Sequence, residues 1–468
     1  MNSPFKNPEL MVIGDSLPQG CRSLTVTKEF CAASYSAQAT KLAGIKFTPP
    51  AHPRPILFNL EDIAHFLIFK GLQAYFGGVS SNYAKWINDF SAKQNTEVFF
   101  DNLAVTGATL EDVLGLQAQF NPTYPSFGTA ELAEAYLQKF PNLELRRDLK
   151  IIGDLHTATN SRYVLNPGNV RARNRWSQLD WVRERQPHNL IVHVGHNNGL
   201  YAIGREGDIK DWRENWTQTA APAPELYQRM IDRLASELPE TRVLFIGLPK
   251  VGVVANLMPY GQARLAGDKN YFAFYETQFP FKTVVPGERI RQADIEIAAV
   301  NADLESRVAR ADNGAGRLQF FSAFDFFERL DYKNLGESPV RIGETSITNL
   351  YLDGIFTRKP GRASASGPRY HWEFENGGLQ SIDGMHPTSI GYALLAFEIH
   401  EWLTGQRLGP AAIARHLKAV LRGESLVWQF PQGFDALRRL LEKFGHPNQS
   451  EDERTFNESM RSASFVTG

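Results

Sequence analysis

The chain reads as an α/β protein built on a central, mostly parallel sheet with helices on both faces. Three observations predict this. Short apolar runs such as Leu10–Ile13, Leu190–Val192 and Val243–Ile246 have the form of strands buried on both sides. Segments with helical spacing alternate with those runs, which is the pattern of parallel units. Several of the runs end in Gly and polar residues, where open parallel sheets gather their ligands.

Composition narrows the class. A length of 468 residues allows one to three domains and a large core. Fifty basic side chains against fifty-one acidic ones argue against a broad nucleic-acid footprint or a polybasic membrane surface. The only two cysteines, Cys21 and Cys31, are too few for a disulfide framework or a multi-cysteine zinc site and read as small buried thiols. The N-terminus lacks an apolar signal core, and no uncharged stretch is long enough to span a bilayer. The expectation is a soluble protein, cytoplasmic by default, with a non-Sec export route left open. The residues leave the oligomeric state open.

The first strand, Leu10–Ile13, runs into Gly14-Asp15-Ser16, and a helix over Ser34–Ala43 is stopped by Gly44. Residues 45–96 form a first insertion. It begins with Pro49, Pro50, Pro53 and Pro55 and continues with an apolar stripe of Leu60, Ile63, Ala64, Leu67, Ile68, Leu72 and Tyr75. That stripe reads either as core or as a lid. Glu97–Asp101 is expected as the second strand, followed by a helix from Leu110 to about Gln119. Thr109 would cap it, and Glu111 and Asp112 favour its first turn.

Residues 120–172 read as an irregular surface insertion, and Pro187 ends a helix that carries Trp176, Leu179, Trp181 and Val182. The third strand starts at Asn189 and finishes at Gly195-His196-Asn197-Asn198. A helix over Pro224–Leu238, a strand from Thr241, a long helix over Gly287–Ala311 and a fifth strand at Leu318–Phe321 complete the sheet. Residues 330–380 form another insertion, and Asp383-Gly384-Met385-His386-Pro387 precedes a helix over Ser389–Leu403. The domain expectation is 1–404 for the sheet domain and 405–445 for a helical extension. Two amphipathic helices, about 410–422 and 432–444, would pack on its outside, and 446–468 form a polar, disordered tail.

Four segments end at one sheet edge with complementary chemistry. A serine hydroxyl needs a base, and histidine suits that at neutral pH. His386 can serve Ser16, with Asp383 folding back through Gly384 to fix its tautomer. Negative charge on a substrate carbonyl needs preorganised donors, which the N–H groups of Ser16 and Gly107 and the Asn197 amide can supply. Asp15 holds the loop, and His196 is a candidate substrate contact. His193, inside a strand, reads as a core residue. The remaining histidines lack metal-ligand spacing, and Walker, dinucleotide and Gly-x-Ser-x-Gly motifs do not occur, so neither metal nor cofactor is expected.

These segments resemble the conserved blocks of the SGNH hydrolases, the GDSL esterase/lipase superfamily. Gly14-Asp15-Ser16 matches the nucleophile block and Asn102-Leu103-Ala104-Val105-Thr106-Gly107 the glycine block. Gly195-His196-Asn197 matches the asparagine block, and Asp383-Gly384-Met385-His386-Pro387 the Asp-x-x-His block. The resemblance implies a flavodoxin-like three-layer sandwich and a catalytic triad of Ser16, Asp383 and His386. It also implies an oxyanion hole from Ser16, Gly107 and Asn197 and no cofactor. Asn198 stands where the family usually has Asp, so hydrogen bonding is kept there and a charge is lost. The implied substrate is a carboxylic ester, either a lipid acyl ester or a small acylated compound, with a carbohydrate O-acetyl group as the alternative. A non-catalytic binding protein on the same sheet is the reading of a different class.

Overall fold

The computed structural model describes residues 5–57, 59–62, 72–92, 96–116, 125–141, 149–338, 340–352, 356–360, 370–374 and 377–428. Strand β1 (Leu10–Gly14) is buried along its whole length and leads directly into a one-turn helix α1 (Ser16–Gln19). Helix α2 (Tyr35–Ala43) follows, then α3 (Leu72–Ala92), α4 (Leu110–Leu114), α5 (Leu149–Leu165) and α6 (Gln178–Arg185). The second half runs β2 (Asn189–His193), α7 (Ala223–Glu237), β3 (Arg242–Ile246), α8 (Gly287–Asp312), β4 (Leu318–Phe321), α9 (Ser389–Thr404) and α10 (Pro410–Gly423).

The four strands form a parallel sheet in the order β1-β2-β3-β4. Leu10 lies beside Asn189 and Gly14 beside His193, so the ends of β1 and β2 are level and their following loops adjoin. Alternate residues feed two cores, because successive strand side chains point to opposite faces. Met11, Ile13, Leu190, Val192, Val243 and Phe245 pack with α4 to α8, while Leu10, Val12, Ile191, Leu244 and Ile246 pack with α2, α9 and α10.

The expected second strand over Glu97–Asp101 is not a regular strand. The edge of β1 is met a few residues later: Val12 N–H donates to the Asp101 carbonyl (2.9 Å), Leu103 N–H to that of Val12 (2.8 Å) and Val105 N–H to that of Gly14 (3.1 Å). The segment forms a single parallel bridge, Val12 with Asn102, and its first side chains bond outside the sheet. Asp101 accepts Thr48 N–H at 2.7 Å and pairs with Arg185 at 2.7 Å, and Asn102 Oδ1 accepts the Ala104 N–H at 3.1 Å.

Other expectations are corrected by packing. The helix after Thr109 is one turn long and closes at Gly115, whose φ of +70° ends it in a left-handed cap. Within 120–172, helix Ala130–Leu137 and the 17-residue α5 replace the expected irregular insertion, and Leu155, Ala158 and Val164 are core residues. Turn-prone Asn, Gly and Thr residues in that sequence hid a helix whose polar face points into the protein. In the first insertion, Val79, Tyr83 and Trp86 of α3 are buried in the main core. Ile63, Ala64, Leu67 and Ile68 lie outside the described residues.

The insertion 330–380 holds two antiparallel strand pairs, Val340–Ile342 with Thr345–Ile347 and Phe356–Pro360 with Tyr370–Phe374. Helix α10 packs on the outside through one face, and residues that follow it are buried. Leu417, Leu421, Leu426 and Val427 join the core of α9, and Glu424 is fully buried. The expected helix at 432–444 and the tail 446–468 lie outside the described residues. No helix among the described residues is long and apolar enough to cross a membrane.

Candidate active site

The site grows from the end of β1. Gly14 has φ +142°, and a Cβ there would stand 1.9 Å from the His193 carbonyl oxygen, so only glycine lets the two strand ends close up. The Gln178 carboxamide clamps the same residue, accepting its N–H at 2.7 Å and donating to its carbonyl at 3.0 Å. Asp15 then caps α1, its Oδ1 accepting the Leu17 N–H at 3.4 Å. Ser16 is the first residue of that turn and keeps a small exposed surface.

The second block arrives beside it. Asn102 Nδ2 donates to the Pro18 carbonyl at 2.8 Å. Gln19 Oε1 accepts from the Thr106 N–H, the Thr106 hydroxyl and Asn160 Nδ2, each at 2.7 Å. Gly107 has φ +88°, and a Cβ on it would meet Thr157 Oγ1 of α5 at 2.3 Å. Its lack of a side chain is therefore demanded by its positive φ and by the packing of α5. Among the described residues, no group accepts a hydrogen bond from the backbone N–H of Ser16 or Gly107.

The third block follows β2. Asn197 donates one amide hydrogen to the Ala108 carbonyl at 2.9 Å, which leaves its second hydrogen unspent. Asn198 accepts the Leu110 N–H at 3.0 Å and donates to Glu111 at 3.1 Å, bracing the start of α4. Thr109 and Asp112 form a capping box at that start, as the sequence predicts in part. His196 Nδ1 lies 2.7 Å from Asp15 Oδ2, which ties its imidazole to the loop that carries Ser16. The Nε2 atoms of His193 and His196 are buried without a hydrogen-bond partner, although Tyr35 meets His193 Nδ1 at 3.2 Å. Burial and the neighbouring His196 hold the His193 pKa well below 6.5, so that ring is neutral.

The fourth block carries Asp383 and His386. Asp383 Oδ1 accepts the N–H groups of Met385 (2.9 Å) and His386 (2.8 Å), a turn that Gly384 enters at φ +69°. Asp383 Oδ2 is 2.8 Å from His386 Nδ1 and also accepts the Leu24 N–H at 2.8 Å. Thr388 caps the following helix, its Oγ1 accepting the Ile390 and Gly391 N–H groups. Burial favours the neutral Asp383 carboxyl, but His386 and the two backbone N–H groups outweigh it and hold its pKa below 3.8. Burial also opposes the charged imidazole, yet Cys21 and Asp383 prevail and raise the His386 pKa well above 6.5.

Cys21 touches both the Ser16 turn and the His386 segment. The Cys21 N–H donates to the Ser16 carbonyl at 3.0 Å, and its thiol adjoins the His386 imidazole. No direct hydrogen bond joins the Ser16 hydroxyl to His386 in this structure, a contact that in unliganded sites often forms only with substrate. Cys21 is buried, as expected, and lies against His386. Gln19, Gln178, Asn160, Glu111 and the Leu24 N–H are further supports that no motif announced. Only the spacing of Thr157 and Asn160 on one face of a helix could have pointed to α5.

No protein-family model and no curated protein matches this chain. Among the described residues, no group of three or more His, Cys, Asp or Glu side chains is placed to hold a metal ion.

Proposed function

We propose that the chain is a serine ester hydrolase of the SGNH (GDSL esterase/lipase) type, with Ser16, His386 and Asp383 as its triad. The observation that carries this reading is the 2.8 Å pairing of His386 Nδ1 with Asp383 Oδ2, beside the thiol whose own backbone binds the Ser16 carbonyl. The flavodoxin-like architecture has support of its own. With the Asp101–Val105 segment counted at the free edge of β1, the strand order is second-first-third-fourth-fifth along the chain. In that order the crevice for a ligand lies at the carboxyl ends of the first and third strands.

In this reading, Ser16 Oγ attacks the carbonyl carbon of an ester while His386 Nε2 takes its proton. The developing oxyanion is met by the N–H groups of Ser16 and Gly107 and by the spare amide hydrogen of Asn197, where each donor contributes about 3–4 kcal/mol. His386 passes the proton to the leaving alcohol, and water then cleaves the acyl-enzyme by the reverse route. Asp383 stays ionised, fixes the tautomer and stabilises the imidazolium. The substrate class is a carboxylic ester, lipid acyl or small acylated compound, with a carbohydrate O-acetyl group as the alternative.

The contact of Cys21 with His386 favours a second reading in which the thiol is the nucleophile. Its complete burial speaks against that, since the attacking atom must reach a substrate carbon. A fluorophosphonate probe separates the readings. Labelling that is lost in Ser16→Ala and kept in Cys21→Ala supports Ser16. Folded protein that takes no label is instead a binding protein. A panel of aryl esters of rising chain length then reads the acyl preference, and turnover of acetyl esters alone would favour deacetylation.

A further inference from the structure

The turn after α1 does something that the triad alone does not explain. Arg22 and Thr25 close it with paired backbone bonds of 3.1 and 2.9 Å, and its two central residues, Ser23 and Leu24, both have φ +51°. Neither is glycine, and a left-handed conformation costs an ordinary residue on the order of 1–3 kcal/mol. The inverted backbone aims two consecutive N–H groups at the acid loop. Ser23 N–H donates to Ser381 Oγ at 2.8 Å, and Leu24 N–H to Asp383 Oδ2 at 2.8 Å. The second of these is the oxygen that holds His386.

The first residue of the turn anchors it. The Arg22 guanidinium is buried, with Nη1 2.8 Å from Glu424 Oε1 and 2.6 Å from Ser389 Oγ, and Nε 3.3 Å from Glu61 Oε1. It also stacks on the Phe30 ring, 4.0 Å from its centroid. Glu61 accepts the Ser23 hydroxyl at 3.0 Å, and Ser425 bridges Glu61 and Arg22. Glu424 Oε2 also accepts the Ser389 N–H at 2.9 Å, at the first turn of the helix that follows His386. Two carboxylates and one guanidinium thus lie out of water between the acid loop and the C-terminal segment. Such a cluster adds little net stability over an apolar substitute, yet removing one member is costly. Its value here is geometric.

We propose that Arg22, gripped by Glu424 and Glu61, is a positioning residue that sets the Asp383 carboxylate against His386. The segment after α10 thereby completes the hydrolytic site. This rests on the triad reading for its consequence in catalysis, while the Asp383–His386 geometry can be read without any activity. The full chain with ¹⁵N-labelled histidine is titrated by NMR, alongside the rate of fluorophosphonate labelling, for wild type, Glu424→Ala and Glu424→Gln. His386 is assigned by its loss in His386→Asn. The groups that neighbour its imidazole are Asp383 and Cys21, and neither is altered in these variants.

The expected result for folded Glu424→Ala is a His386 pKa lower by about one unit, a tenfold weaker pairing, with the labelling rate on its alkaline plateau, where His386 is neutral in both proteins, slowed about tenfold. In turnover of an aryl ester, kcat falls and KM holds. Should Glu424→Ala not fold, Glu424→Gln keeps the acceptor for Ser389 and is expected to shift His386 in the same direction by less. A folded variant in which His386 titrates as in wild type overturns the proposal. If wild type itself takes no label, the hydrolase reading fails, and the histidine titration alone decides the positioning role.

Discussion

The Asn198 carboxamide is held between two groups of α4, accepting the Leu110 N–H at 3.0 Å and donating to Glu111 Oε2 at 3.1 Å. Both side chains are buried. An acid at position 198 would face the Glu111 carboxylate. The negative charge stands on the partner helix, and the block supplies the neutral donor that Glu111 requires.

Asn198→Asp would set two buried carboxylates against each other and leave Glu111 without its donor. The expected loss is about 1–3 kcal/mol of stability, read by chemical denaturation. Glu111→Gln in the same chain restores a donor and is expected to recover most of that loss. Independent, additive effects of the two changes would contradict the pairing.

The raised pKa of His386 has a definite sign in the pH profile. The imidazole keeps its proton to higher pH, so the neutral base appears, and kcat/KM rises, only well above pH 6.5. An acid limb at or below 6.5 would contradict the ion pair. Stability follows the same shifts. The His386 contribution is complete below its unfolded value of about 6.5 and fades as pH rises through the folded value. That of Asp383 is present above about 3.9 and fades as pH falls through its lowered folded value.

Gln19 orients the glycine block by accepting three hydrogen bonds, two of them from Thr106. Gln19→Leu removes that acceptor from the residue before Gly107. A fall in kcat of about ten- to a hundredfold is expected, because a donor displaced by about 1 Å loses most of its effect. Steady-state kinetics on an aryl ester check this, and an unchanged kcat would separate Gln19 from the oxyanion site.

Trp86 tests whether the first insertion is core or lid. Its ring is fully buried, and its Nε1 donates to the Pro55 carbonyl at 3.1 Å. Trp86→Ala is expected to cost about 3–5 kcal/mol in a denaturation experiment. A lid residue would instead change acyl-chain preference and leave stability nearly untouched.

Much of the architecture was legible because burial on both faces forces a continuous apolar run. The four strands β1 to β4, the capping of α4 by Thr109 and the Asp383–His386 turn all follow from local residues whose conformation needs no distant partner. The edge segment at 101–105 was misplaced because its partners, β1 for the backbone and Thr48 and Arg185 for Asp101, lie far away in the sequence. Helix α5 was hidden because a helix whose polar face serves an internal network lacks the usual amphipathic pattern.

By itself the sequence determined which residue types arrive at one sheet edge, and in what order: Ser16, Gly107, Asn197, then Asp383 with His386. Only the tertiary structure decided what holds them there. Gln178 on Gly14, Gln19 on Thr106, Glu111 on Asn198 and Leu24 on Asp383 join positions 87 to 359 residues apart. The reason is physical. A hydrogen bond is specified by distance and direction at a few ångströms, and a motif records neither for partners the fold has yet to bring together.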